Sequence, residues 1–340
     1  MSLPTAYDTH CTAAQPVELA PESAADPDPE APPTYPGFDL QPAQLQQLEV
    51  FLDYMLEINK VMNLTGIREK GEARQRHVAD SLSLIPIIES GSNLSIAQLS
   101  PSAVASASNQ FYSTSRYARQ EPVSRGNMPS ADRGSKTAAG KAAAAAAAAA
   151  ASVASEAGTK PEGVSLRGQA LSVIDVGTGP GLPGIIFAVA RPLWKAGSVT
   201  LLDSLRKRCD FLKKAIELMG LTNVEVVWSR AEDAGQDPVH RQGYDVAVAR
   251  AVAETRTLAE LCLPFVKVGG LWVAAKGPTP KEEVAGARVA LQKLGGVLCS
   301  VELVDSFSSD GQRTAVVVRK VANTPAQYPR GQGLPGKSPL

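Results

Sequence analysis

Six short apolar runs alternate with helical patterns between Leu171 and Arg319. The runs are Leu171–Val176, Ser198–Asp203, Val224–Ser229, Asp245–Ala249, Leu271–Ala275 and Ala315–Arg319. The clearest helical pattern between them, Leu205–Met219, stops at Gly220, and glycine commonly ends helices. Strands that are joined through helices form mostly parallel sheets covered on both faces. The alternation therefore predicts an α/β fold whose ligand lies at the carboxyl ends of the strands.

The first predicted strand leads into the glycine-rich turn VIDVGTGPGLPG, residues 173–184. Glycines in this position let the backbone adopt positive φ and approach a ligand closely, with a helix N-terminus behind them. The part GPGLPG matches the GxGxxG fingerprint of dinucleotide sites, a weak signal when taken alone. Asp203 ends the next strand, 24 residues after Gly179, where a carboxylate can bind ribose hydroxyls. Both NAD-binding and S-adenosylmethionine-binding folds share these features, so they do not separate the two ligands.

Asp175 does separate them. It lies at the carboxyl end of the first strand and produces the pattern D-x-G-x-G-x-G instead of an apolar lead-in. This pattern resembles the first motif of Rossmann-like methyltransferases, which implies that the acid faces the methionine amino group of the cofactor. The alternative for Asp175 is a carboxylate that stabilises the turn or caps the following helix.

Two segments differ sharply in composition from the rest of the chain. Residues 1–40 are rich in proline and hold seven acidic residues without any Lys or Arg, which predicts disorder. Since the formal charge of the whole chain is zero, residues 41–340 carry about +7, and a polyanionic partner fits this charge. Residues 91–168 are rich in Ser and Ala and contain the unbroken alanine tract Ala142–Ala151. We interpret them as an insertion, because so long a structureless connection is unusual inside a compact domain.

Between these segments, one apolar stripe predicts a core-facing amphipathic helix. Its members recur at three- and four-residue spacing: Leu45, Leu48, Leu52, Met55 and Ile58.

The cysteines indicate neither a metal site nor a disulfide framework. Cys11, Cys209, Cys262 and Cys299 are scattered, without a CxxC pair or a nearby His, and this pattern is typical of a reducing compartment. The apolar runs fall short of a bilayer span, and the start lacks the basic-then-apolar pattern of a secretory signal. We expect a monomer without a metal or membrane partner.

Several motifs occur in the order and spacing of one family. They are NKVMNLTGI, RHVADSL, VIDVGTGPGLPGI, LLDSLRKR, WSRAED, VAVARAVA, AAKG and the ending YPRGQGLPGKSPL. Together they resemble the bacterial guanine-N7 methyltransferases of small-subunit ribosomal RNA, the glucose-inhibited division protein B family. The resemblance covers nearly everything outside 1–40 and 91–168. It implies a Rossmann-like, S-adenosylmethionine-dependent fold with a mostly parallel seven-stranded sheet and an N-terminal helical extension.

The resulting domain order has five parts. A disordered acidic extension at 1–40 precedes an N-terminal helical part at 41–90, the insertion at 91–168, a methyltransferase core at 169–320 and a basic tail at 321–340.

The resemblance also implies site residues. Cofactor contacts are expected at Asp175, Gly177, Gly179, Leu182, Asp203, Ala231, Glu232 and Arg250. Asn63 and His77 match positions that the family keeps in its helical part, and we expect RNA contacts there. Lys276 could face the RNA or the cofactor. Independently of the resemblance, basic groups should hold phosphates, which makes RNA-contact candidates of Arg206, Arg208, Arg330 and Lys337. The alternatives are a structural role for His77, an exposed loop for Glu232 and an ordinary surface position for Arg250. The basic residues of 206–214 could equally form the polar face of a helix, and Lys276 could be a solvated strand end.

The expected chemistry needs no catalytic side chain. Guanine N7 carries a free lone pair, so its attack on a sulfonium methyl group needs no general base, and catalysis comes from alignment and desolvation. The target guanine must be unstacked, and basic groups should hold its phosphates.

Three other functions stay open at this stage. They are a methyltransferase with another acceptor, an NAD-dependent dehydrogenase, and an inactive RNA-binding assembly factor. The insertion and alanine tract are typical of a eukaryotic protein, which predicts the plastid as compartment; the alternative is the bacterial cytoplasm.

Overall fold

The computed structural model describes residues 33–92, 170–190, 197–250, 253–306 and 312–340. Tyr35–Leu340 form one compact unit. Residues before the predicted boundary at 40 belong to the fold, because Tyr35 and Leu40 are buried and Tyr35 bridges to Phe38. The predictions for residues 1–32 and 93–168 lie outside the described residues.

The N-terminal part is helical, as predicted. Its elements are α1 (Pro42–Met62), α2 (Lys70–Ala73), a π-helical turn (Arg74–Ala79), α3 (Asp80–Leu82) and α4 (Ile85–Ser92). The predicted apolar stripe of α1 faces the core: Leu48, Leu52 and Met55 are buried, and Leu45 and Ile58 are partly buried. Apolar residues on one side of a 3.6-residue period form such a stripe.

The end of α4 corrects the start of the insertion. Gly91, assigned to the insertion, belongs to α4 and is buried. A Cβ atom there would lie 3.2 Å from Leu271 Cδ1, and the Gly91 carbonyl accepts a hydrogen bond from Arg319. The chain is therefore still part of the core at Gly91.

The sheet has seven strands in the order β3-β2-β1-β4-β5-β7-β6. They are β1 (Ser172–Val176), β2 (Ser198–Asp203), β3 (Val224–Trp228), β4 (Tyr244–Ala249), β5 (Val266–Lys276), β6 (Gly296–Val304) and β7 (Arg313–Lys320). β7 runs antiparallel to both of its neighbours, β5 and β6, and the other neighbouring pairs are parallel. The predicted mostly parallel seven-stranded sheet is confirmed, although β6 was not among the six runs recognised in the sequence.

Helices cover both faces of the sheet. After β1 come α5 (Gly184–Ala190), α6 (Arg206–Met219), α7 (Ala231–Ala234), α8 (Thr255–Cys262), α9 (Lys281–Gly286), α10 (Arg288–Lys293) and α11 (Leu334–Lys337). One core lies between the sheet and the N-terminal helices with α5 and α6, and the other lies beneath α8 to α10. Among the described residues, no helix is long and apolar enough to cross a membrane.

The N-terminal helices pack directly on the helices of the sheet. Gln44 and Gln47 of α1 donate side-chain hydrogen bonds to the carbonyls of Val189 and Met219, at 2.6 and 2.8 Å. The ring of Tyr54 stacks on Phe211 with centroids 5.2 Å apart. The helical part is thus held to the sheet domain through α5 and α6.

Candidate functional site

The glycine turn leaves open space at the carboxyl end of β1. Gly177 and Gly179 have φ of 72° and 61°, and a Cβ atom on either would meet no described heavy atom within 4 Å. The amides of Gly177 and Thr178 both donate to the carbonyl of Leu202, which ties the turn to the end of β2. The turn therefore has the shape of a cradle, while Leu182 beyond it is buried.

Asp203 is held against this cradle. Its Oδ2 accepts a hydrogen bond from the Gly179 amide at 3.0 Å, and its Oδ1 accepts one from the Leu205 amide at 2.8 Å. The Arg208 guanidinium lies 3.5 Å from Oδ2. The carboxylate is thus fixed in position beside the turn, as a ribose-binding group requires. Arg208, which was predicted to contact RNA, lies against this carboxylate.

Asp175 is fully buried beneath the turn. Its Oδ2 accepts hydrogen bonds from Thr178 Oγ1 at 2.6 Å and from the Gly184 amide at 2.9 Å, so it caps the start of α5. Its Oδ1 is buried and has no hydrogen-bond partner among the described residues. Burial raises the pKa of Asp175 to about 6, although these two bonds and the charge of Arg250 oppose the rise. Oδ2 therefore has the capping role that was named as the alternative, whereas Oδ1 stays without a partner among the described residues.

Arg250 follows β4 and is not an ordinary surface arginine. Its Nη2 donates to the Arg76 carbonyl at 2.8 Å, while its Nη1 is buried without a hydrogen-bond partner in the described part of the chain. Burial lowers the pKa of Arg250, and the charges of Asp80 and Asp175 counteract this effect. A buried donor without a partner is costly, so this nitrogen is suited to a polar ligand.

A cavity of about 460 Å³ opens next to Arg250, at the carboxyl ends of β4 and β5. Its charged lining consists of Asp80, Arg250, Lys276, Glu283 and Arg313. Lys276 is 8% exposed, so the solvated alternative is wrong for it. Its Nζ donates to Glu283 Oε1 and to the Ala253 carbonyl, at 2.6 Å each. The cavity has the size and polarity of a small-molecule or nucleotide site.

The family assignment follows from comparison with known proteins. A profile of the family rRNA small subunit methyltransferase G matches residues 44–98 and 163–312, more than half of the chain. The chain belongs to this family. Ribosomal RNA small subunit methyltransferase G of Alkaliphilus metalliredigens is 35% identical over 304 residues, which span 89% of this chain and 94% of that protein. Its counterpart from Symbiobacterium thermophilum is 48% identical over 173 residues, 49% of this chain and 69% of that protein.

Solved structures add little to this assignment. NSun6 from Pyrococcus horikoshii, solved with SFG, aligns at 15% identity over 46% of this chain and 49% of that chain, with a TM-score of 0.37. A likeness this weak carries no argument. The fold class rests on the strand order itself, which is that of a Rossmann-like methyltransferase with one antiparallel strand.

The segment that follows β3 packs against the C-terminal tail of the chain. Ala231 and Glu232 begin α7 directly after β3, and Glu232 is 8% exposed, so the exposed-loop alternative is wrong. Glu232 Oε1 accepts a hydrogen bond from the Gly333 amide at 2.8 Å. Next to it, Gln332 donates to Asp233 Oδ2 at 2.6 Å. Sequence patterns missed this arrangement because 101 residues separate Glu232 from Gly333.

Arg330, which was predicted to contact RNA, is bound to an internal carboxylate in the structure. Its Nε and Nη2 donate to Glu260 Oε1 and Oε2 at 2.8 and 2.6 Å, and its backbone amide adds a bond of 2.9 Å to Oε1. Glu260 is completely buried. The guanidinium therefore neutralises an internal carboxylate, and the segment 321–340 is an ordered part of the fold. Lys337, at the end of α11, is exposed and keeps its prediction.

His77 and Asn63 occupy different environments. His77 lies in the π-helical turn, is 5% exposed and shares a 2.9 Å hydrogen bond between Nε2 and Thr65 Oγ1. Burial, followed by the charge of Arg250, lowers the pKa of His77 to about 4, so the ring is neutral at neutral pH. This is the structural role named as the alternative. Asn63 is exposed, and with φ of 49° it ends α1.

The exposed start of α6 keeps its predicted suitability for RNA. The Arg206 side chain is 73% exposed, and its guanidinium lies 5.4 Å from the ring centroid of Trp228. Trp228 is itself 57% exposed. A cation over an exposed aromatic ring offers both phosphate contact and base stacking.

No metal-binding cluster of three or more His, Cys, Asp or Glu occurs within the described ranges. The described cysteines, Cys209, Cys262 and Cys299, are free thiols.

Proposed function

We propose that this chain transfers the methyl group of S-adenosylmethionine to N7 of a guanine in small-subunit ribosomal RNA. The observation that carries the proposal is the open glycine cradle between two fixed carboxylates, Asp175 below it and Asp203 beside it. The family supports the substrate, since its described members are small-subunit ribosomal RNA methyltransferases.

The polar groups at the cradle fit the cofactor. The buried Oδ1 of Asp175 and Nη1 of Arg250 lack protein partners among the described residues, and they match the amino and carboxylate groups of a methionine moiety. Asp203 would accept hydrogen bonds from the ribose hydroxyls, and the open space at Gly177 and Gly179 would accommodate the ribose and the methionine chain. When bound, S-adenosylmethionine would supply an electrophilic methyl group. The sulfur atom of the cofactor would keep the electron pair of the broken sulfur–methyl bond.

The residues of the chain then act by position. Guanine N7 attacks through a free lone pair and releases no proton from that atom, so the site needs no general base. His77 is neutral and shares a hydrogen bond with Thr65, in agreement with a mechanism that transfers no proton to a side chain. Arg206 with Trp228 would hold a phosphate or a base of the RNA outside the cradle. The plastid location stays a prediction.

The test uses labelled S-adenosylmethionine and small ribosomal subunits from a strain that lacks the family enzyme. The RNA is then cleaved chemically at 7-methylguanine. We expect one new cleavage site with the natural protein. Asp203→Asn should lower the affinity for S-adenosylmethionine at least about tenfold, because a charge-assisted hydrogen bond contributes about 1.5–3 kcal/mol. Asp210→Asn, on the exposed face of α6, is the matched control and should leave this affinity unchanged.

The outcomes separate the competing functions. Cofactor binding without label on subunits or naked RNA would contradict the RNA substrate and favour another acceptor. RNA binding without methyl transfer would indicate an assembly factor. Binding of NAD in place of S-adenosylmethionine would indicate a dehydrogenase.

A further inference from the structure

Glu283 stands out among the groups that line the 460 Å³ cavity, because three hydrogen-bond donors hold its carboxylate. It lies in the first turn of α9. Its Oε1 accepts hydrogen bonds from Lys276 Nζ at 2.6 Å and from Thr255 Oγ1 at 2.7 Å, and a third from the Thr255 amide. Three donors converging on one oxygen fix the orientation of the whole carboxylate.

The carboxylate is also anionic at neutral pH. Burial acts to raise the pKa of Glu283, but the hydrogen bonds from Lys276 and Thr255 outweigh it and hold the pKa below the usual range. Each hydrogen bond that Glu283 accepts from the described residues ends on Oε1. Its Oε2 is therefore an oriented acceptor, on a side chain that is 30% exposed at the cavity wall.

An acceptor of this kind distinguishes guanine from adenine. Guanine carries the N2 amino donor at C2 of its Watson–Crick edge, where adenine carries only C2–H. The amino group of adenine, N6, lies at the other end of that edge, beyond an unprotonated N1 that an anionic acceptor repels. The exocyclic N2 amino group of guanine lies at the opposite side of the base from N7. A carboxylate that binds N2 can therefore hold the base without covering the atom that receives the methyl group.

The cavity is placed for such a base. Lys276, Gly277 and Thr314 of its lining lie where β5 ends and β7 begins, and Arg250, which lines it from the end of β4, also interacts electrostatically with Asp175 below the cradle. The space thus adjoins the cofactor cradle without being part of it. A volume of about 460 Å³ lies in the range of sites for nucleotide-sized ligands.

We propose that Glu283 determines the base specificity of the methyl transfer, its Oε2 accepting a hydrogen bond from the N2 amino group of the target guanine within this cavity. This inference rests on the proposed function. It assigns Lys276 and Thr255 as positioning residues, which hold the carboxylate through Oε1.

The test compares guanosine with inosine at the target nucleotide. Inosine lacks only the N2 amino group and retains N7. A synthetic RNA segment with either base is ligated into the ribosomal RNA and assembled into subunits, and kcat/KM is measured for the natural protein, Glu283→Gln and Glu282→Gln. Glu282 is the exposed neighbour in the same helical turn and provides the matched control.

We expect the natural protein and Glu282→Gln to prefer guanosine over inosine by at least about tenfold, the discrimination of one good base contact. In Glu283→Gln this ratio should fall close to one. The substitution removes the contact with the N2 amino group, which slows the reaction with guanosine but not with inosine, because inosine lacks that group. Equal affinities of both variants for S-adenosylmethionine would show that the cradle is intact. A variant that is merely destabilised would slow both substrates alike and keep the ratio.

Two results would overturn the inference. The first is a natural protein that methylates guanosine and inosine equally well, a result that needs no variant to fold. The second is a Glu283→Gln protein that keeps the natural ratio, which would shift the role to Asp80, the other carboxylate of the lining. In both cases 7-methylguanine still forms, so the proposed function survives. A natural protein that forms none would contradict the proposed function itself.

Discussion

Replacing Arg330 with Met should destabilise the folded protein and leave its direct affinity for RNA unchanged. The side chain is 26% exposed, and its partner Glu260 is fully buried, with both carboxylate oxygens bound to Arg330. The substitution leaves this carboxylate with only the backbone amide of residue 330 as a donor from the tail. A second bond, from Nη2 to the Ser338 carbonyl at 2.8 Å, is lost as well.

The magnitude follows from this geometry. Removing one partner of a buried ion pair costs about 3–5 kcal/mol, because it strands the other charge. The partial exposure of Arg330 lets water reach the vacated space, so we expect the lower end, about 3 kcal/mol of unfolding free energy. For a domain of this size, 1 kcal/mol corresponds to about 2–4 °C in Tm, which gives a decrease of about 6–12 °C.

The assay is urea unfolding followed by intrinsic fluorescence, with thermal unfolding as a second probe. Lys337→Met is the control in the same tail and should change the free energy of unfolding by less than about 0.5 kcal/mol. Adding Glu260→Gln to Arg330→Met should restore part of the lost stability, because it removes the stranded charge. An Arg330→Met protein with unchanged stability and weakened RNA binding would refute the reasoning and reinstate the predicted RNA contact.

Three further predictions concern packing and pH. Gly184→Ala should lower the free energy of unfolding by about 1–3 kcal/mol, since its Cβ would lie 2.4 Å from Leu201 Cδ2. Gly336→Ala is the control, because a Cβ there would meet no described atom within 4 Å. An equal loss of stability in both variants would contradict the packing argument. Burial, together with the charge of Arg241, lowers the pKa of Lys320 to about 7. Between pH 7 and 10.5 the unfolded state therefore binds more protons than the folded state. The free energy of unfolding should rise with pH in this range, by up to about 1.4 kcal/mol per pH unit. Urea unfolding of Lys320→Met should lack this rise, and identical slopes in both proteins would rule it out. Protonation of Asp175, whose pKa is about 6, should weaken S-adenosylmethionine binding about tenfold per unit below pH 6, and a calorimetric affinity that is constant from pH 7.5 to 5 would exclude contact with the methionine amino group.

Local pattern was sufficient for the elements that carry the cofactor cradle. The parallel strands are short, mostly apolar runs, and their predicted ends agree with the structure within a few residues at the carboxyl edge. Helix α6 ends at Gly220, which adopts the expected left-handed conformation with φ of 63°. Glycines and an aspartate directly after a buried strand are typical of a ligand-binding turn. The turn and Asp203 could therefore be located from the sequence.

Strand β6 shows where such patterns fail. It lies at the edge of the sheet and is mostly half-buried, and Leu303 is 73% exposed. Its pairing with β7 shifts register between Leu298 and Ser300. Neither a continuous apolar run nor strict alternation survives in such a strand, so sequence periodicity has little to detect.

By itself, then, the sequence determined six of the seven strands, the glycine turn between β1 and α5, and the family. Tertiary structure alone decided which charged groups remain available for a ligand. Arg330 and Glu260 are 70 residues apart, yet they neutralise each other in the interior, while Asp175 keeps one oxygen without a partner in the described structure. The physical reason is that strand and turn patterns arise from neighbouring residues, whereas the state of a charge depends on its desolvation and on partners that only folding brings within hydrogen-bonding distance.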